Sequence, residues 1–287
     1  MNILSFQSAV SYGHVGNSIA VFALQLLGHE VWPVDTVRFS NHPGHGGFRG
    51  SVVDAAVLAD LIEGMAERGW LGTADAVLSG YLGHAAQGPV LAEAVRRIKA
   101  ANPRAVWALD PVIGDHGRIF VKEGIPQFMR DVAVPAADIL MPNAFELGYL
   151  TGQPCRTLSQ AVAAAEMLRG AGSARMVVAT GLTLTDRPPR TLTTLAADAA
   201  GAWTVTTSAV EHPANGAGDL FAALFLGRYL PERDAATALS LATSSVHAIV
   251  ARSAADGARE LQVIAARDEL VAPRRLFDAA RVTQAGL

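Results

Sequence analysis

The stretch "HPANGAGDLFAALFLGRYLP" (212–231) sets two glycines and an acid directly ahead of a long apolar run. Gly216 and Gly218 accept positive φ without steric penalty, so main-chain N–H groups there can converge on one spot. The run behind them, Ala217–Tyr229, reads as a helix. Its unpaired N–H groups and positive dipole end would face the same spot. Gly216, Ala217 and Gly218 at a helix start therefore form a candidate anion site suited to phosphate. Asp219 falls in the first turn, where a plain capping acid is common. The Gly-x-Gly-Asp order entering a long apolar helix favours a functional group instead.

Outward from that turn, short apolar runs alternate with longer helical patterns. The spacing predicts strands over Asn2–Gln7, Glu30–Asp35, Ala74–Ser79, Ala105–Asp110, Asp138–Met141, Arg175–Thr180 and Ala202–Thr207, with a weaker one over Thr191–Ala196. It predicts helices over Gly16–Leu27, Val53–Arg68, Gly88–Ala101, Ala144–Leu150, Leu158–Arg169, Ala217–Tyr229, Arg233–Ala251 and Arg259–Val271. "AVWAL" (105–109) and "MVVA" (176–179) lack clean alternation, as strands covered on both faces do. Repeated β-then-α order implies an α/β fold of three αβα layers around a mostly parallel sheet. No Pro/Ser-rich linker divides residues 1–287, so one domain is expected. Its ligand is expected at the carboxyl ends of the strands.

The polar punctuation collects at those ends: "SAVSYGHVGN" (8–17), "TVRFSNHPGHGG" (36–47), "GYLG" (80–83), "DPVIGD" (110–115), "PNAFE" (142–146) and "TGL" (180–182). Asp110 and Asp115, joined by Asn143 and Glu146, offer hard oxygen donors of the kind that suit Mg²⁺ and its phosphates. Alone, Asp110 could be a turn acid and Glu146 a solvated first-turn residue. His42 and His45 have no cysteine beside them, which argues against zinc. A loop closing over a substrate fits that stretch better. Ser8 follows the first strand and could hydrogen-bond a small polar ligand. No Gly-x-Ser-x-Gly elbow surrounds it, so it is not read as a nucleophile.

Composition narrows the classes further. The chain has 287 residues, 51% hydrophobic and 17% charged, with a formal net charge of −3. It carries no basic run that would form a nucleic-acid groove. Its single cysteine, Cys155, excludes an internal disulfide. The first residues have no cationic leader pattern and no apolar run is long enough for a membrane span, so a soluble cytoplasmic protein is expected.

In their order and spacing these motifs resemble the pyridoxal kinases of the ribokinase-like superfamily. The resemblance rests on "QSAVSYGHVGN" (7–17), "VRFSNH" (37–42), "LSGYLG" (78–83), "ALDPVIGD" (108–115), "PNAFE" (142–146) and "GAGDLF" (216–221). It covers about residues 3–270. It implies that Ser8, Pro43, Gly44, Tyr81 and Asp219 face a B6 vitamer. It implies that Asp110, Met141, Asn143, Glu146 and Thr180 lie along ATP, with Asp110, Asp115 and Glu146 around Mg²⁺. Gly216, Ala217 and Gly218 would form the anion hole and Asp219 would be the base. A homodimer is implied, and a need for K⁺ is left open. Relatives often carry Thr-Gly-Tyr or Thr-Gln-Tyr where this chain has Pro43-Gly44-His45, and Trp where it has Phe48. The segment after Asp115 is short compared with some bacterial relatives. The expected reaction is ATP-dependent phosphorylation of pyridoxal at its 5′ oxygen. A hydroxymethylpyrimidine or other small-alcohol kinase, or a low-turnover B6 carrier binding through a lysine imine, stand as the alternatives.

Overall fold

A computed structural model describes residues 1–213 and 215–283. In chain order the strands are β1 (Asn2–Tyr12), β2 (Glu30–Asn41), β3 (Gly50–Val52), β4 (Ala76–Ser79), β5 (Val106–Leu109), β6 (Gly114–Asp115), β7 (Arg118–Ile119), β8 (Ile139–Leu140), β9 (Met176–Leu182), β10 (Thr191–Asp198), β11 (Gly201–Ser208) and β12 (Ala280–Arg281). The helices are α1 (Asn17–Leu26), α2 (Ala55–Glu67), α3 (Gln87–Ala101), α4 (Ile125–Phe128), α5 (Val134–Ala136), α6 (Ala144–Thr151), α7 (Leu158–Gly170), α8 (Ala217–Glu232), α9 (Ala235–Ala255) and α10 (Arg267–Val271).

Ten strands form one sheet in the order β12-β11-β10-β9-β8-β5-β4-β1-β2-β3. The stretch from β9 through β2 is parallel throughout. β10, β11 and β12 extend one edge in antiparallel fashion, and β3 closes the other. The parallel centre matches the expectation; β10 and β11 form a hairpin that needs no crossover helix, whereas β12 returns to β11 only after α8, α9 and α10.

Side chains alternate across this sheet and build two cores. Leu4, Phe6, Val77, Trp107, Leu109, Val177 and Ala179 point to one side, against Leu58 and Ile62 of α2, Leu91 and Ile98 of α3 and Ala161 and Leu168 of α7. Ile3, Leu78, Ala108, Met176 and Val178 point to the other, against Ile19 and Leu24 of α1, Phe225 of α8 and Leu239 of α9. Two buried faces explain why these strands read as continuous apolar runs.

Capping trims the expected helix limits. Asp54 accepts from Ala56 N and starts α2, and Asp234 accepts from Ala236 N and Thr237 N and starts α9. The expected helix over Arg259–Val271 is mostly absent: only Arg267–Val271 is helical. α9 stops before Gly257 (φ +61), and Leu261 and Val263 are buried two residues apart, a spacing a helix face does not give. Residues 125–136 form a continuous helical segment that the sequence pattern did not reveal. It comprises α4, a π-helical turn (Met129–Ala133) and α5.

Candidate active site

The carboxyl ends of β1, β2, β4, β5, β8 and β9 and the start of α8 surround one cavity of about 800 Å³. Every residue that the resemblance assigns to the site lines it: Ser8, Pro43, Gly44, Tyr81, Asp110, Asp115, Met141, Asn143, Glu146, Thr180, Gly216, Ala217, Gly218 and Asp219. Chain segments more than 200 residues apart are thus brought to one edge of the sheet.

The glycine turn is tied to the first loop by close approach. Gly216 sits at φ +87, and a Cβ there would lie 1.9 Å from the carbonyl oxygen of His14. Gly16, at φ +52, is equally confined, since its Cβ would lie 2.2 Å from Ser8 O and 2.3 Å from Ser8 Oγ. Neither position admits a side chain. Between them runs a single bond: Gly16 N donates to Asp219 Oδ2 at 2.8 Å. Asp219 does not cap its own helix, because the start of α8 has no side-chain cap. The capping-acid reading is thereby set aside.

Asp219 carries a carboxyl pushed up to about 6, because burial at the cavity floor outweighs the stabilising Gly16 N–H. The position of an acid at a helix start favours the opposite direction. Desolvation decides the sign here, and it leaves the group close to working pH. Asp110 is raised well above the ordinary carboxylate range by burial, then by the charges of Glu146 and Asp219. No side chain or main-chain donor among the described residues bonds the Asp110 carboxylate. Burial raises Glu146 too, opposed by three main-chain N–H groups.

Those three donors show what Glu146 does in the protein itself. Oε1 accepts from Ile113 N at 2.8 Å and Gly114 N at 3.3 Å, and Oε2 accepts from Asn143 N at 3.0 Å. Asn143 Oδ1 accepts from Glu146 N at 2.9 Å, completing a capping box, while its Nδ2 donates to Gly114 O. Asn143 and Glu146 thus fasten the 110–115 loop to α6 and hold Asp110 and Asp115 beside the cavity. Asp115 is half-exposed on the β6–β7 hairpin and accepts from His116 N.

Sequence reasoning missed several lining residues: Phe39, His116, Arg118, Phe120, Asn215 and Phe221. Arg118 matters most, as a cation entering a cavity otherwise rich in carboxylates. The signal for it was Gly117 (φ +79), the turn residue that folds the hairpin back. Among the described residues no cluster of three or more His, Cys, Asp or Glu could hold a metal alone. No helix among them is long and apolar enough to cross a membrane.

Comparison with known proteins follows the same geometry. Residues 51–263 match the family model described as phosphomethylpyrimidine kinase. Pyridoxal kinase PdxY of Rubrobacter xylanophilus is 51% identical over 284 residues, covering 98% of each chain. Pyridoxal kinase PdxY of Leifsonia xyli is 47% identical, covering 98% of this chain and 100% of its own. The pyridoxal kinase of Leishmania donovani in complex with ADP and pyridoxine superimposes with a TM-score of 0.91 at 28% identity, over 98% of this chain and 99% of that one. A ribokinase-like sheet, a glycine turn with a buried acid at the cavity, and close likeness along the full chain agree: this chain belongs to the pyridoxal kinase family.

Proposed function

We propose that this kinase transfers the γ-phosphoryl group of ATP to the 5′-hydroxymethyl oxygen of pyridoxal, and of pyridoxine and pyridoxamine at rates set by the 42–48 loop. The observation that carries the reading is Asp219, held by Gly16 between the vitamer-facing Ser8 and the Gly216–Gly218 turn. Relatives whose names and complexes include pyridoxal, pyridoxine and pyridoxamine support the substrate class.

In this reading Ser8, Pro43, Gly44 and Tyr81 hold the vitamer. Asp219 accepts the proton of its hydroxymethyl group. Phosphoryl transfer has a loose transition state with charge spread over equatorial oxygens, so positioning and fixed dipoles do most of the work. The main-chain N–H groups of Gly216, Ala217 and Gly218 meet that charge without reorganising. Met141, Asn143 and Thr180 border the nucleotide, and Arg118 lies over its phosphates.

The donor set fits Mg²⁺: Asp110 has a carboxylate free of protein hydrogen bonds among raised, mutually repelling acids, which a cation would relieve. Asp110 and Asp115 would hold the ion, and Glu146 would add its charge from behind. When bound, Mg²⁺ neutralises charge on the transferring phosphates. A single catalytic domain, a cytoplasmic location and a homodimer complete the proposal. Val57 and Leu61 on α2 and Trp70 just beyond its C-terminal end are each about half-exposed, apolar surface that a dimer could use.

The carrier alternative loses ground on composition. The chain has two lysines, Lys99 and Lys122, and neither lines the cavity, so an imine has no amine there. The pyrimidine-kinase alternative keeps one supporting observation, the description of the matching family model. Product formation with ATP and Mg²⁺ across pyridoxal, pyridoxine, pyridoxamine and a hydroxymethylpyrimidine, with and without K⁺, separates the two. A kcat/KM highest for the pyrimidine would reject the reading.

A further inference from the structure

Three loops of the cavity converge on a short segment that takes no part in the chemistry. After Gly257 the chain turns beneath the site across residues 258–260. Ala258 O is bonded to His212 Nε2, at the approach to the phosphate turn. Glu260 reaches the other way. Its Oε2 accepts from His14 N at 3.0 Å, and its Oε1 pairs with His45 Nε2. Gly13 makes room for that carboxylate, since a Cβ there would lie 2.4 Å from Oε2. The pair is sheltered, with side chains 14% and 11% exposed for His45 and Glu260. The ring of Tyr12 stands edge-on to His45 at 5.9 Å.

The 42–47 loop is organised within itself. Asn41 Nδ2 donates to Gly47 O at 2.7 Å and His42 O at 3.0 Å, and His42 Nδ1 accepts from Gly44 N at 3.1 Å. His42, Pro43 and Gly44 line the cavity, whereas His45 does not. Among the described residues, the bond from His45 to Glu260 is the one hydrogen bond that ties residues 42–47 to anything beyond the loop and its stems. The loop therefore shows its inner side to the ligand and is fastened by an outer residue.

We propose that Glu260 is a positioning residue that latches the 42–47 loop over the vitamer end of the cavity through His45. Through His14 N it also keeps that loop in step with the turn carrying Gly16. The latch acts on substrate capture and dwell, not on the reacting atoms. A loop already ordered need not be ordered when the ligand arrives, so loosening it weakens binding. The inference rests on the reading that this end of the cavity takes the vitamer.

The test is steady-state kinetics and amide hydrogen exchange on the full chain and four variants: Glu260→Ala, His45→Ala, the double variant and His45→Gln. Each alanine variant should raise the KM for pyridoxal about tenfold, with kcat and the KM for ATP changed less than about threefold. Exchange over 42–47 should quicken in each. The double variant should be no worse than Glu260→Ala, because the two groups share one contact. His45→Gln, which keeps a donor, should remain near wild type. His45→Ala leaves the His14 bond intact and keeps the test available if Glu260→Ala folds poorly. Unchanged pyridoxal KM and exchange would overturn the latch, as would equal losses in kcat, ATP KM and pyridoxal KM. Wild-type protein inert toward pyridoxal would instead overturn the functional reading beneath it.

Discussion

The main-chain nitrogen of Gly16 donates to Asp219 Oδ2 at 2.8 Å, joining residues 203 positions apart in the chain. This bond links the two ends of the cavity, because Gly16 also packs directly on Ser8. It fixes the orientation of the carboxylate while burial raises its pKa. A rigid donor on one oxygen leaves the other free toward a hydroxyl.

Gly16→Ala should break this arrangement. The φ of +52 disfavours any side chain, and the new Cβ would run into Ser8 O and Oγ. Backbone strain of this kind costs about 1–3 kcal/mol. Thermal unfolding should show that loss, and kcat should fall more than the KM for ATP rises.

The raised carboxyl of Asp219 sets a pH limb. In the proposed role Asp219 works only when deprotonated, so log kcat/KM for pyridoxal should rise with pH and level off above a midpoint near 6. A limb near 4, the ordinary carboxylate range, would mean that burial does not control this group.

The same shift has a stability sign. A carboxyl raised to about 6 in the folded state binds protons more readily than in the unfolded chain. Ionising it therefore costs stability, increasingly as pH climbs from about 4 to 6 and fully above that. Asp219→Asn removes the cost while keeping an acceptor for Gly16 N. The variant should unfold at higher temperature than wild type at pH 8, by about 1–2 kcal/mol after allowance for cavity solvent. Near pH 4 the difference should vanish.

Arg118 lines the cavity and supplies a cation at the end proposed for the nucleotide. Arg118→Ala should raise the KM for ATP about tenfold and leave the KM for pyridoxal within about twofold, because the lost contact is charge-assisted and local. Initial rates with each substrate varied in turn check this split.

Much of this site was legible because parallel α/β sheets end their strands in chemically distinctive loops. Asp110 and Ser8 stood out as polar residues directly after apolar runs, and Gly216 and Gly218 as glycines directly ahead of one. The helical segment over 125–136 stayed hidden because Pro126 and Pro135 look like breakers. Pro126 in fact lies in the first turn, where the missing N–H costs nothing, and Pro135 follows directly on the π-helical turn near the end of the segment. Glu260 was invisible for a different reason. Its partner His14 lies 246 positions away, and its own segment carries the spacing of an ordinary helix. The direction of the Asp219 shift was also out of reach, since sequence shows the helix start and not the depth of burial.

The proposed general-base role of Asp219 is the centre of the account, and it has one direct measurement. Asp219→Asn preserves shape and the Gly16 bond, so only the proton acceptor is lost. With pyridoxal and ATP–Mg²⁺ saturating, its kcat should fall by about 10²–10⁴ while both KM values stay within about threefold. A variant that kept kcat within threefold of wild type would show that Asp219 is not the base.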